Sequence, residues 1–218
     1  MNSNKLTTPP AVEPVTSAEL DAHLRGDGVL ESVEPTLLTE MVVAAREFVE
    51  LHTRRALITQ TWTMFLDTLP QGQNDLGWWD GIREGSQTSG DARSIKLPIG
   101  DLQSVTSIST FSSDNTETTF ADTNYFLNTN ETPGEVVLNE GVVWPTFTRN
   151  RMGIKVVYVA GYGDAGTDVP GALRMAIKQL AAHWYENREL VKTQSDQNQA
   201  MAPMHVLSII NRYKVGRV

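Results

Sequence analysis

Along this chain the hydrophobic positions change period twice. The first fifteen residues show no repeat, and Pro9, Pro10 and Pro14 predict an extended arm over 1–15. Thr16-Ser17-Ala18-Glu19 has the form of a capping box, with Thr16 as the cap and Glu19 reaching back. It opens a short helix with Leu20, His23 and Leu24 on one side, ending at Gly26 or Gly28. A second helix starts near Pro35, a residue suited to a first turn. Its stripe Leu38, Met41, Val42, Ala45, Phe48 and Val49, with His52 at its end, follows helical spacing. It stops near Arg54-Arg55, where cations suit the carbonyl end of the helix dipole. From Ile58 the period becomes two: Ile58, Gln60, Trp62, Met64 and Leu66 alternate with threonines, Phe65 and Asp67, which predicts a strand.

Residues 70–93 are rich in Gly, Gln, Asp and Ser and predict a long, exposed, mobile loop carrying Trp78-Trp79. Strands then recur at Ser94–Leu97, Ser104–Phe111, Tyr125–Leu127, Glu135–Leu138 and Ile154–Val159, with turn chemistry at Ser113-Asp114-Asn115 and Thr132-Pro133-Gly134. Val169-Pro170 opens a third long helix, over 170–188, with Leu173, Ile177, Leu180, Ala181 and Trp184 on one face. After a polar loop, Pro203 begins a last helix with Val206, Ile209, Ile210 and Tyr213 at helical spacing, and Arg212, Lys214 and Arg217 form a basic tail. The predicted class is therefore α+β. A helical bundle of 16–56 and 162–190 receives an inserted antiparallel β subdomain, 57–161, and 191–218 form a C-terminal helix and tail. The polar loop 192–202 sets the last helix apart, and truncation after Pro203 is expected to leave a folded subunit that no longer joins its assembly.

Composition narrows the function. The chain has 218 residues, 40% of them hydrophobic, enough to bury a core without staples. It has no cysteine, so disulfides, thiolate nucleophiles and Cys-based zinc sites are excluded. The net charge of −8 argues against broad adhesion to nucleic acid or anionic membrane. No apolar run approaches the ~20 residues of a membrane span, and the polar N-terminus lacks a signal-type core; a soluble intracellular product is expected.

Candidate chemistry is sparse. There is no P-loop, G-x-S-x-G or H-E-x-x-H, and Gly161-Tyr162-Gly163 lacks the third glycine of a dinucleotide turn. His183 and Glu186 sit three apart on a helix, a metal-compatible spacing, but His23, His52 and His205 bring no matching Glu-x-x-His. Asp80, Asp91, Asp164 and Asp168 lie in loops, where aspartates are usually turn formers. We therefore expect no enzyme, no cofactor and no metal, with a loop-carboxylate or His183 hydrolase as the weakest alternative. Trp78-Trp79 is either buried on its own β block or a contact platform for a protein or carbohydrate partner, the second-ranked function. Arg54-Arg55 and the Arg212/Lys214/Arg217 cluster suit an acidic partner surface, the latter as a helix that docks into a groove.

Several segments together carry a resemblance. They are Thr8-Pro9-Pro10 with Glu13-Pro14-Val15; Ala44-Ala45-Arg46-Glu47-Phe48-Val49-Glu50; Arg55-Ala56-Leu57-Ile58-Thr59-Gln60-Thr61-Trp62; Leu97-Pro98 with Leu102-Gln103-Ser104-Val105; Val156-Val157-Tyr158-Val159-Ala160-Gly161-Tyr162-Gly163; and Val169-Pro170 leading to His183-Trp184-Tyr185-Glu186-Asn187-Arg188. In this order they resemble the head–tail connector (adaptor) proteins of long-tailed double-stranded DNA phages and gene transfer agents. The resemblance implies a ring of twelve copies in the virion neck, assembled in the bacterial host cytoplasm. The ring would lie between the portal protein and the next neck or tail-connecting protein, with double-stranded DNA passing through unbound. It further implies portal docking by the last helix and tail (Val206, Ile209, Ile210, Arg212, Tyr213, Lys214, Arg217). Subunit contact falls to the flanks of the second helix (Arg46, Glu47, Glu50, Arg54), and no membrane is involved. The acidic chain is consistent with this, since like charge opposes counterion-release binding to DNA.

Overall fold

A computed structural model describes residues 3–68, 93–187 and 202–216. The chain divides into a helical unit, Pro10–Thr59 with Tyr162–Lys214, and a β unit, Met1–Pro9 with Gln60–Gly161 and Val215–Val218.

The helical unit holds α1 (Ser17–His23), α2 (Val29–Val33), α3 (Pro35–Thr53), α4 (Gly171–Glu186) and α5 (Met204–Asn211). The capping box forms: the Thr16 hydroxyl accepts from the Glu19 amide at 3.1 Å and the Glu19 carboxylate accepts from the Thr16 amide at 3.3 Å. Pro35 sits in the first turn of α3, and Arg54 closes that helix with φ 56°, its amide donating to the Glu50 carbonyl at 2.8 Å. Leu38, Val42, Ala45 and Val49 of α3 meet Leu173, Ala176, Ile177, Leu180 and Ala181 of α4 in one core. Val206 and Ile210 of α5 complete it, together with Leu57 and Ile58.

The β unit contains an antiparallel five-stranded sheet in the order β1 (Ser3–Thr8), β2 (Gln60–Leu66), β8 (Ile154–Ala160), β4 (Leu102–Phe111), β5 (Glu117–Phe120). A three-stranded antiparallel sheet runs β3 (Ser94–Lys96), β7 (Glu135–Leu138), β6 (Tyr125–Asn128). On β8, Ile154, Val156, Tyr158 and Ala160 are buried in strict alternation, the period-two pattern of a strand with one covered face. Its register pairs Trp62 with Tyr158 and Met64 with Val156 on one side, and Ile108 with Val156 on the other. Phe120 of β5 stacks on Tyr125 of β6 at 6.1 Å between centroids, and the turn at Gly134 lies so close to Leu102 that a Cβ would meet that side chain at 2.6 Å. These contacts bring the two sheets together over one core. Tyr158 is buried there with its hydroxyl on Asn4 Oδ1 at 3.1 Å; burial pushes the phenol pKa up, against the opposing pull of that bond.

The structure departs from the sequence expectations in four places. Part of the 1–15 arm, Ser3–Thr8, is a strand pairing Asn4 with Met64 and Leu6 with Trp62, because two prolines just beyond it end the pairing without preventing it. The alternation expected from Ile58 begins at Gln60, since Leu57 and Ile58 are buried in the helical core instead. Two short elements, α2 and β5, are absent from the sequence expectations because at five and four residues neither is long enough to display a period. The largest departure concerns α5: with Val206 and Ile210 buried in the core, truncation after Pro203 strips that core, so the expectation of a folded remainder is withdrawn.

Candidate functional site

Of the residues singled out for partner contact, Arg46, Glu47, Glu50 and Arg54 of α3 and its end, and Val206, Ile209, Ile210, Arg212, Tyr213 and Lys214 of α5 and its end, lie in the helical unit. Arg46 lies on the buried side of α3, between the apolar positions Ala45 and Val49. A buried guanidinium needs partners on every side. Its Nε donates to Glu13 Oε2 at 2.8 Å and its Nη1 to Glu50 Oε2 at 2.7 Å, while Glu47 Oε1 stands 3.6 Å from Nη2. Burial works against the Arg46 charge, but attraction to Glu50 and Glu13 outweighs it and holds the guanidinium pKa above its ordinary value. Glu50 uses its second oxygen to accept the Leu57 amide at 2.9 Å, fixing the chain as it leaves α3.

Two further arginines tie sequence-distant pieces together. Arg174 of α4 donates to the Pro14 carbonyl at 2.9 Å and to Glu19 Oε1 at 2.6 Å. Burial alone would raise the Glu19 pKa; the hydrogen bonds from Arg174 and the Thr16 amide reverse this and hold it below the usual value. Arg55 donates to the Tyr213 carbonyl at 2.7 Å, anchoring the end of α5 to the end of α3.

Among the four residues expected at subunit contacts, Arg46 and Glu50 are therefore corrected: they are engaged within the subunit because a helix-interior arginine must be neutralised locally. Glu47 is exposed and Arg54 half-buried at the helix end. Of the residues expected to dock the portal, Val206 and Ile210 are corrected in the same way, as core residues of their own subunit. Ile209 and Tyr213 pack partly against that core, whereas Arg212 and Lys214 are exposed. Arg217, Trp78 and Trp79 lie outside the described residues.

His183 Nδ1 lies 3.3 Å from the Asn187 amide nitrogen, which also donates to the His183 carbonyl at 2.8 Å, a helix-end arrangement. No group of three metal-ligating side chains exists among the described residues. Asp168 Oδ2 accepts the Ala165 amide at 2.9 Å, as a turn former does, and a Cβ at Gly163 would collide with that carboxylate. Asp80 and Asp91 lie outside the described residues.

Sequence reasoning missed Arg174 and Arg55 as fasteners, and Glu13 as a partner of Arg46. Their partners lie 160, 158 and 33 residues away, and no local pattern marks such pairs. Asp21 was also missed. It is buried, and its Oδ2 accepts the Gly28 amide at 2.6 Å, closing a turn in which Arg25, Asp27 and Gly28 have φ of 59°, 51° and 81°.

Residues 145–214 match the family described as phage gp6-like head-tail connector protein. No curated protein matches the chain. Three solved structures share its fold at 22% identity. The chain in "Virion of native gene transfer agent (GTA) particle" aligns with a TM-score of 0.72 over 99% of this chain and 96% of that one. The chain in "Neck of empty GTA particle computed with C6 symmetry" aligns at 0.69 over 100% and 97%, and that in "Neck of native GTA particle computed with C12 symmetry" at 0.66 over 98% and 97%. The α+β fold and the resemblance to head–tail connectors both stand on these matches.

Proposed function

We propose that this chain is a structural head–tail connector of a tailed phage or gene transfer agent. In this reading it is a ring-forming subunit of the virion neck, held between the portal and the next neck component, with DNA passing through the ring. The observation that carries the reading is the coincidence of two matches. The connector family covers 145–214, and the fold aligns over nearly the whole chain with subunits of particle necks, one of them analysed with twelvefold symmetry. The β unit is read as an insertion into a bundle formed by the chain's two flanks. The chain works by shape and needs no turnover, cofactor or metal.

Within this reading, portal docking rests on the exposed cations Arg212 and Lys214, with Arg217 beyond them in sequence, rather than on the apolar face of α5. A net charge of −8 keeps DNA sliding rather than bound, because no array of cations is offered for counterion release.

The test is reconstitution. Purified chain mixed with portal complexes is expected to add a ring of density beneath the portal by electron microscopy. Particles from a host lacking the gene are expected to fill with DNA but to carry no tails. Absence of added density, together with normally tailed particles from the deletion host, would overturn the proposal.

A further inference from the structure

β1 is an edge strand with little of its own surface covered. It pairs on one side only, with β2. Ser3, Lys5, Thr7 and Thr8 are exposed, and Asn4 and Leu6 are half-buried. Its side chains add a bond from the Tyr158 hydroxyl to Asn4 Oδ1 at 3.1 Å and a hydroxyl contact between Thr7 and Thr63 at 2.6 Å. The ladder slips between Leu6 and Thr8, just before Pro9.

Five residues beyond Thr8 the chain is firmly fixed. Glu13 Oε2 accepts Arg46 Nε at 2.8 Å, the Pro14 carbonyl accepts Arg174 Nε at 2.9 Å, and Val15 is 1% exposed. Residues 13–15 thus belong to the helical unit and β1 to the β unit, and Pro9-Pro10-Ala11-Val12 joins them. Thr8 and Pro9 each precede a proline and are thereby held extended, and each proline ring fixes its own φ. Pro9, Ala11 and Val12 are exposed. From Thr8 to Glu13 the chain reaches at most about 17 Å, at ~3.4 Å per residue. A thinly covered strand on an exposed, stiffened tether is the arrangement from which strands are exchanged between copies.

A β1 that lifts away leaves the edge of β2 with unpaired backbone groups, and such an edge is a template for another strand. The structure shows which segment fits it: Ser3–Thr8, with Ser3 opposite Phe65, Lys5 opposite Thr63 and Leu6 opposite Trp62. Every copy carries both the strand and its edge. The same bonds form within one chain or between two, so the exchange costs little.

We propose that in the ring β1 leaves its own subunit and pairs with β2 of the adjacent copy. The short tether limits the donation to an immediate neighbour. Each copy gives a strand to one neighbour and receives one from the other, so the contact runs head to tail and closes as a ring. This rests on the ring reading above and names what joins the copies.

The chain has no cysteine, so introduced ones report the pairing without background. Particles carrying the double variant Ser3→Cys with Phe65→Cys are expected, on oxidation, to shift most of the chain from monomer into a covalent ladder extending well beyond dimers. Co-expressed single variants are expected to cross-link in unlike pairs, and each single variant alone to yield monomer. A bond formed only within one chain overturns the exchange while leaving the ring intact. Dimers alone from the double variant mean reciprocal swapping and overturn the head-to-tail assignment. Absence of any bond, also with Leu6→Cys and Trp62→Cys, overturns the pairing of β1 with β2 in the particle and the proposal with it. Wild-type particles that show no ring of this chain by microscopy overturn the ring itself.

Discussion

The two units of this molecule achieve order by different means. In the β unit a ladder of backbone hydrogen bonds runs through five strands, and the alternation of β8 distributes burial evenly along the chain. In the helical unit the pieces come from opposite ends of the sequence and share one apolar core, and single polar side chains tie them further: Arg46 to Glu13, Arg174 to Pro14 and Glu19, Arg55 to Tyr213. Among the described residues the exposed apolar side chains are also unevenly divided. Val12, Val29, Val33, Leu51, Met175 and Met204 belong to the helical unit, against Phe126, Val143 and Met152 in the β unit. A fold held by repeated backbone bonds tolerates the loss of one contact, whereas one joined by a few side chains does not.

The strongest way to break this contrast is to end the chain at Pro203. Loss of the buried Val206 and Ile210 opens the core between α3 and α4, at about 2–5 kcal/mol for an isoleucine alone, enough to unfold the helical unit. Hydrogen exchange is expected to show amides of α3 and α4 losing protection while those of β2, β4 and β8 keep it. Equal loss in both units would erase the distinction. Next in size is Arg46→Ala, which strands Glu13 and Glu50 without their cation. A destabilisation of about 3–5 kcal/mol is expected in urea unfolding, and a value below about 1 would mean that the arginine is dispensable. The β unit is expected to yield less to a comparable trim: Ile108→Val, at a fully buried position, costs about 0.5–1.5 kcal/mol by the same measurement.

The smallest expected effect is a pH dependence. Glu19 has its pKa depressed in the fold, so its bond to Arg174 contributes stability above the unfolded value, near ~4.3, and loses it as acid protonates the folded carboxylate. Glu19→Gln is therefore expected to flatten the fall of melting temperature below about pH 4, where the parent protein remains steeper. Coincident curves for the two proteins would remove Glu19 from the acid response.

Much of the secondary structure was legible because burial leaves a period. The stripe of α3 and the alternation of β8 are imposed by one-sided cores, and the capping box at Thr16 and Glu19 is a local bond pattern. β1 was not legible: its partner β2 lies more than fifty residues away, and its exposure alternates only weakly. The fate of Val206 and Ile210 was not legible either. An amphipathic helix states that one face will be covered but not by whom, and the same pattern serves a docking peptide and an internal core element. Arg46 shows the converse. Flanked by glutamates it reads as a surface residue, yet its place between Ala45 and Val49 turns it inward, where the glutamates become its necessary neutralisers.

A helical unit assembled from both flanks of the sequence has a consequence for synthesis. While the ribosome is still translating the strands, residues 10–59 have no α4 or α5 to pack on, and only the emergence of Met204–Asn211 allows the core to shut. Prematurely terminated products therefore present an open, sticky interior to chaperones and proteases. The fold itself thus checks that translation has run through α5.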